Sequence, residues 1–214
     1  MRHSFDFSIS SHCQAGCHGC ARTSSRDGKI EPWLKPEHMD HAVFCNILKN
    51  TKGKIKIRKI QFCGELGDPM MHPEIDNFID TAADYSTYIE INTNGGLEQP
   101  SWYATTAKKD INLHIVFGID GIDHDTNVQY RKGVDFNRAW DNMTTWVNNG
   151  GKGYWHFILF QWNYHQIPEA VKLARSLGID ILFKINKSDD IREGMLPDST
   201  DLVEAQKLLK EHWR

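Results

Sequence analysis

The 214-residue chain has no apolar run approaching the ~20 residues needed to cross a bilayer. Its first residues, Met1-Arg-His-Ser-Phe-Asp-Phe7, hold no signal-peptide core. A membrane or exported protein is therefore not expected, and the sequence reads as cytoplasmic. No basic stripe offsets a net charge of −3, which argues against a large nucleic-acid surface. The densest basic run, Lys52-Gly-Lys54-Ile-Lys56-Ile-Arg58-Lys59, leads into an alternating segment and reads as a solvated strand entry. Internal repeats, low-complexity tracts and interdomain linkers are lacking too, so a single domain over 1–214 is expected. With 40% hydrophobic residues, that length suffices for one sizeable core.

Cysteine is scarce and unevenly placed. Of five, three fall in Cys13-Gln-Ala-Gly-Cys17-His-Gly-Cys20, and none follows Cys63. Inside a cell they are expected as reduced thiols, available for ligation rather than disulfides. Three thiolates on the loop after a strand make a soft-metal site. A structural zinc site or an electron-carrying cluster normally takes four protein ligands. Without a nearby fourth cysteine, the C-x3-C-x2-C spacing leaves one iron of a [4Fe-4S] cluster open. His12 and His18 flank the ligands, so on these residues alone a zinc-stabilised binding module stands nearly level with an iron–sulfur enzyme. Cys45 reads as an inert helix thiol, and Cys63 as a small buried residue at a strand end.

Strand and helix patterns alternate along the chain. Residues 5–9, 55–62, 88–91, 113–117, 154–160 and 181–185 read as six strands. A helix is expected from Pro36, with Met39, Val43, Phe44, Ile47 and Leu48 on one face. Others follow around Ile75, Phe78, Ile79 and Ala82, over 100–109, and around Phe136, Trp140, Met143 and Val147. Residues 168–177 form a further helix stopped by Gly178, and 202–213 close the chain as an amphipathic one. Six such units argue for a parallel sheet of right-handed βαβ turns. They fall short of the eight units and ~250 residues of a closed barrel, so an open, partial (β/α)6 TIM-like barrel is expected. Ligands then bind at the C-terminal ends of the strands, where every Gly-rich or Cys-rich loop of this chain lies.

These ordered loops together resemble the radical S-adenosylmethionine (AdoMet) superfamily over nearly the whole chain. The cysteine loop is similar to that family's C-x3-C-x2-C. Gly67-Asp68-Pro69-Met-Met-His-Pro73 resembles its Gly-Glu-Pro motif, and Thr93-Asn94-Gly95 the motif after the third strand. Gly118-Ile-Asp120-Gly121 with His124 and Arg131 resembles the next segment, and residues 169–180 the helix before the last strand. The resemblance implies that Cys13, Cys17 and Cys20 hold a [4Fe-4S] cluster whose fourth iron binds AdoMet. Reductive cleavage then gives a 5′-deoxyadenosyl radical that takes hydrogen from a substrate. It further implies an AdoMet amine at the Gly67-Asp68 loop, with Glu65 as a substitute acceptor. Asn94 and Gly95 would lie at the ribose or methionine portion, with Asp120 in the same site and Arg131 on the carboxylate. Gly118 stands where the family often has Ser, and Gly19 where an aromatic residue commonly packs on adenine.

A low-potential donor of flavodoxin or ferredoxin type is implied as partner. The wording of the motifs is most similar to the peptide-modifying and maturase branch, so a peptide side chain is the first-choice substrate and a small metabolite or nucleoside the second. With no cysteine after Cys63, an auxiliary cluster beyond the barrel is not expected. A homodimer or other partner is a candidate cover for the barrel's open side. Asp120, Asp123, His124 and Asp125 form an acidic loop better explained by turns and caps than by a cation. Trp162, Asn163, Tyr164 and His165, with Lys184 and Asn186, are candidate substrate contacts at the barrel mouth. Trp155 and Trp162 stand equally as packing residues.

Overall fold

The computed structural model describes residues 2–23, 29–185, 195 and 197–212. Six strands, β1 (Arg2–Phe7), β2 (Lys56–Phe62), β3 (Ile89–Thr93), β4 (Leu113–Gly118), β5 (Lys152–Leu159) and β6 (Asp180–Ile185), form one sheet in sequence order. Every neighbouring pair is parallel. Edge strands β1 and β6 do not pair with each other, so the sheet is the expected open, partial (β/α)6 barrel.

Seven helices connect or close the strands: α1 (His41–Thr51), α2 (Ile75–Tyr85), α3 (Pro100–Thr106), α4 (His124–Tyr130), α5 (Phe136–Asn148), α6 (Ile167–Leu177) and α7 (Ser199–His212). Their apolar stripes bury one face of the sheet. Ile60 and Phe62, Ile89 and Ile91, Ile115 and Phe117 are all essentially solvent-free. They alternate with Gln61, Glu90, Asn92 and His114, which are half-buried on the opposite face. Parallel sheets usually read as apolar on both faces. This one has a wet inner face, and the site lies on it.

Three expectations need correction. The first helix begins after Asp40, whose carboxylate accepts the Ala42 N–H, and not at Pro36. Such a cap stabilises by about 1 kcal/mol. On that helix only Phe44 and Leu48 are buried, while Val43 and Ile47 face solvent, 49% and 36% exposed. The acidic loop contains a short helix, α4, that its pattern does not announce, while the cap expected there is present: Asp123 accepts the Thr126 N–H at 2.8 Å. Asn186 and Trp213 lie outside the described residues, as does 24–28 of the stretch after the cysteines.

Candidate active site

The cysteine loop follows β1 and is held from three sides. Arg22, buried, donates to the Ser11 and Ala15 carbonyls, and Thr23 Oγ1 to the Cys17 carbonyl at 2.7 Å. Below it, the Asp68 N–H bonds the His12 carbonyl at 2.8 Å. Gly67 makes that approach possible: a Cβ there would stand 2.3 Å from the Ser10 carbonyl oxygen. On the third side, the Gly16 N–H donates to Lys132, just after α4.

Cys13, Cys17 and Cys20 line one cavity of about 530 Å³ at the C-terminal ends of the strands. Its wall includes Asp68, Asn94, Gly118 and Arg131 from the loops after β2, β3 and β4. That volume is in the range of small-molecule sites. As metal-free thiols, Cys13 is pushed up to about 11 and Cys17 up to about 12, chiefly by burial. Metal binding must therefore displace protons. Among the described residues, no three His, Cys, Asp or Glu side chains converge as ligands of one ion would. A cluster asks for something different, namely three sulfurs set apart around a cavity, each for its own iron. The donor set fits that requirement. His12 stacks on His38 at 4.4 Å, and His38 in turn meets His72 at 4.9 Å.

Asp68 is buried and its carboxylate is fully subscribed. Oδ1 accepts the Met70 N–H; Oδ2 accepts Thr93 Oγ1, the Asn94 N–H and Asn94 Nδ2, at 2.7–3.0 Å. Burial raises its pKa against the pull of these donors. The side chain expected at the AdoMet amine is thus a clip between the loops after β2 and β3. Asn94 is the hub above it, exchanging amide hydrogen bonds with Gln14 in the cysteine loop at 2.8 and 3.2 Å. Gly95 is buried, and its carbonyl accepts from Asn142 Nδ2 at 2.7 Å.

Arg131 ends α4 and lines the cavity, while its Nε donates to Asp120 Oδ2 at 2.6 Å. Burial opposes the guanidinium charge, but Asp120 more than offsets this and raises its pKa. Asp120 is fully buried and also accepts the Ile158 N–H at 2.6 Å. It bonds Arg131 Nε and is not among the residues of the cavity wall.

A family model for the Radical SAM superfamily matches residues 7–174. The chain belongs to the radical SAM superfamily. No curated protein sequence matches the chain significantly. Among solved structures, anSMEcpe with bound AdoMet superposes with a TM-score of 0.77 at 16% identity, covering 100% of this chain and 61% of that one. SuiB of Streptococcus suis bound to AdoMet gives 0.73 at 18%, covering 97% and 47%. A radical SAM methyltransferase from Sphaerobacter thermophilus gives 0.63 at 10%, covering 99% and 64%. The chain thus spans 47–64% of these structures, and the likeness is one of fold.

The other sequence candidates divide. Lys184 lines the cavity. Asn163 does not: it is fully buried, donating to the Asp120 and Ile158 carbonyls and accepting from the Phe160 N–H. Trp155 is likewise solvent-free, its Nε1 bonded to the Ile119 carbonyl, so it packs. Trp162 stacks on Phe160 at 4.7 Å, and neither it, Tyr164 nor exposed His165 lines the cavity. Glu65 is exposed in its loop, and Cys63 is half-buried beside Ser8 Oγ at 3.7 Å. Missed altogether were Gln61, Glu90, Asn92 and His156, all on the cavity wall. Their signal was available in the polar-apolar alternation of β2, β3 and β5, where a buried parallel sheet should be apolar throughout.

Proposed function

We propose that this radical SAM enzyme binds one [4Fe-4S] cluster through Cys13, Cys17 and Cys20 and abstracts hydrogen from a peptide side chain. The observation that supports it best is the single cavity shared by the three cysteines and Arg131. When bound, the cluster and AdoMet supply one-electron cleavage of a sulfonium to a 5′-deoxyadenosyl radical.

The chain's own residues hold and orient. Arg22 and Thr23 fix the cysteine loop through its carbonyls, so the thiols are presented by backbone that is already tied down. Asp68 sets Asn94, and Asn94 fixes Gln14 beside Cys13. With the Asp68 oxygens occupied, backbone carbonyls of the Gly67-Asp68 loop would receive the AdoMet amine. Arg131 gives Nε to Asp120 and keeps its Nη groups for the AdoMet carboxylate, a match of planar fork to carboxylate. Gly95, buried with φ +76° and not on the cavity wall, would set the turn that presents Asn94 to the ribose or methionine portion. A flavodoxin- or ferredoxin-type donor supplies the electron, and a second copy or other partner covers the open side of the barrel in the cytoplasm. A peptide is favoured because SuiB has been solved bound to precursor peptide SuiA and anSMEcpe with Cp18Cys peptide.

The test is anaerobic reconstitution followed by dithionite and AdoMet. Release of 5′-deoxyadenosine by the native chain, lost in Cys17→Ala, is expected. Stoichiometric zinc with intact AdoMet would sink the proposal.

A further inference from the structure

Among the described residues, each charged side chain on the cavity wall has a protein partner except one. Asp68 is taken up by Met70, Thr93 and Asn94. Glu90 accepts from Lys59 Nζ at 2.9 Å and from the Tyr88 hydroxyl at 3.1 Å. Arg131 has Asp120, and Arg22 has backbone carbonyls. Lys184, on edge strand β6, has no salt bridge or hydrogen bond among the described residues. Beside it His156 is also without a side-chain partner there, and Gln61 and Asn92 offer two unpaired carboxamides. Burial, then the neighbouring Lys184 charge, lowers the His156 pKa to about 4, so the imidazole is neutral and carries one N–H to donate.

Resting on the radical SAM reading above, we infer that the group entering this cavity bears a carboxylate, received by Lys184 and the His156 N–H, on a peptide whose amide meets Gln61 and Asn92. An unpaired ammonium with a neutral imidazole beside it matches an anion. Lys184 is exposed and His156 half-buried, so a cationic side chain would set like charges together and an aliphatic one would leave the half-buried imidazole N–H without an acceptor. The two carboxamides each offer a donor and an acceptor, which is what a peptide group requires. Lys184 stands on β6, the last strand of the sheet, which among the described strands pairs with β5 alone, so an extended peptide can reach it from that side.

The test uses reconstituted protein with AdoMet and no reductant, titrated calorimetrically with N-acetyl-glutamate N-methylamide and with its glutamine and lysine counterparts. At least tenfold tighter binding of the glutamate probe is expected, with the preference abolished in Lys184→Met and AdoMet affinity unchanged. N-acetyl-glutamine carrying a free C-terminal carboxylate is the second arm. Its preference over the glutamate probe would assign the anion to a chain terminus. Equal binding of all three glutamate and glutamine probes, preference for lysine, or no saturable binding of either carboxylate probe overturns the inference. Failure to bind AdoMet, or to release deoxyadenosine once dithionite is added, overturns the underlying radical SAM reading instead.

Discussion

The guanidinium of Arg131 lies over Gly118: a Cβ on Gly118 would stand 2.6 Å from Arg131 Nη2 and 3.1 Å from its Cζ. The serine common at this position in the family would collide with the arginine that this chain aims into the cavity. The missing side chain and the arginine are therefore one device, with Asp120 anchoring it from behind.

Gly118→Ala should push the guanidinium off its seat. Because Nε is tied to Asp120, the arginine cannot simply swing away, and a stability loss of about 1–2 kcal/mol is expected from overpacking. AdoMet affinity should fall while iron content holds. Urea denaturation and AdoMet titration of the reconstituted variant read the two effects separately.

Arg131→Met removes the partner of a fully buried carboxylate, which typically costs about 3–5 kcal/mol. Burial already raises the Asp120 pKa, and Arg131 is what opposes it. Without the arginine the folded variant binds a proton that the unfolded chain has released. Its penalty should therefore be absent below the ordinary Asp value of 3.8 and grow as pH rises above it. Denaturation midpoints of variant and native chain should converge on acidification.

Asp68→Ala strands Thr93 Oγ1, Asn94 Nδ2 and the Met70 and Asn94 N–H groups. A loss of about 3–5 kcal/mol is expected for a buried network of this kind. Because Asn94 holds Gln14 beside Cys13, iron incorporation should drop as well. Asp68→Asn keeps the shape and should lie between.

His156 titrates in the folded chain near 4, against 6.5 unfolded, so protonation favours the unfolded chain. Its contribution is present above about 6.5 and is lost as pH falls from there toward 4. His156→Gln should lose less stability than the native chain between pH 7 and pH 5. Parallel urea titrations at the two values measure this.

Much of the architecture could be read from periodicity. Ile75, Phe78, Ile79 and Ala82 are all buried as their spacing requires, and five strands lie within two residues of where alternation puts them, while β1 runs over Arg2–Phe7 instead of 5–9. Periodicity failed where a stripe has edges: Val43 and Ile47 share a helical face with Phe44 and Leu48, but the sheet covers only the middle of it. In the site, the residue types that carry a resemblance were legible and their partners were not. Asp68 and Asp120 look like free acids in one dimension. Their donors come from residues 2–38 positions away, and only folding shows that both are spent on holding Asn94 and Arg131. Asn163 was misread for the same reason, since a polar residue after a strand serves equally to tie a loop or to meet a ligand.

The central claim is that three cysteines leave an iron for AdoMet. Pulsed electron resonance on the reduced, reconstituted chain with AdoMet labelled by nitrogen-15 at its amine tests this directly. A resolved coupling between the cluster spin and the labelled nitrogen is predicted, and it should vanish when AdoMet is omitted. An intact reduced cluster that shows no coupling in the presence of saturating labelled AdoMet would contradict the account.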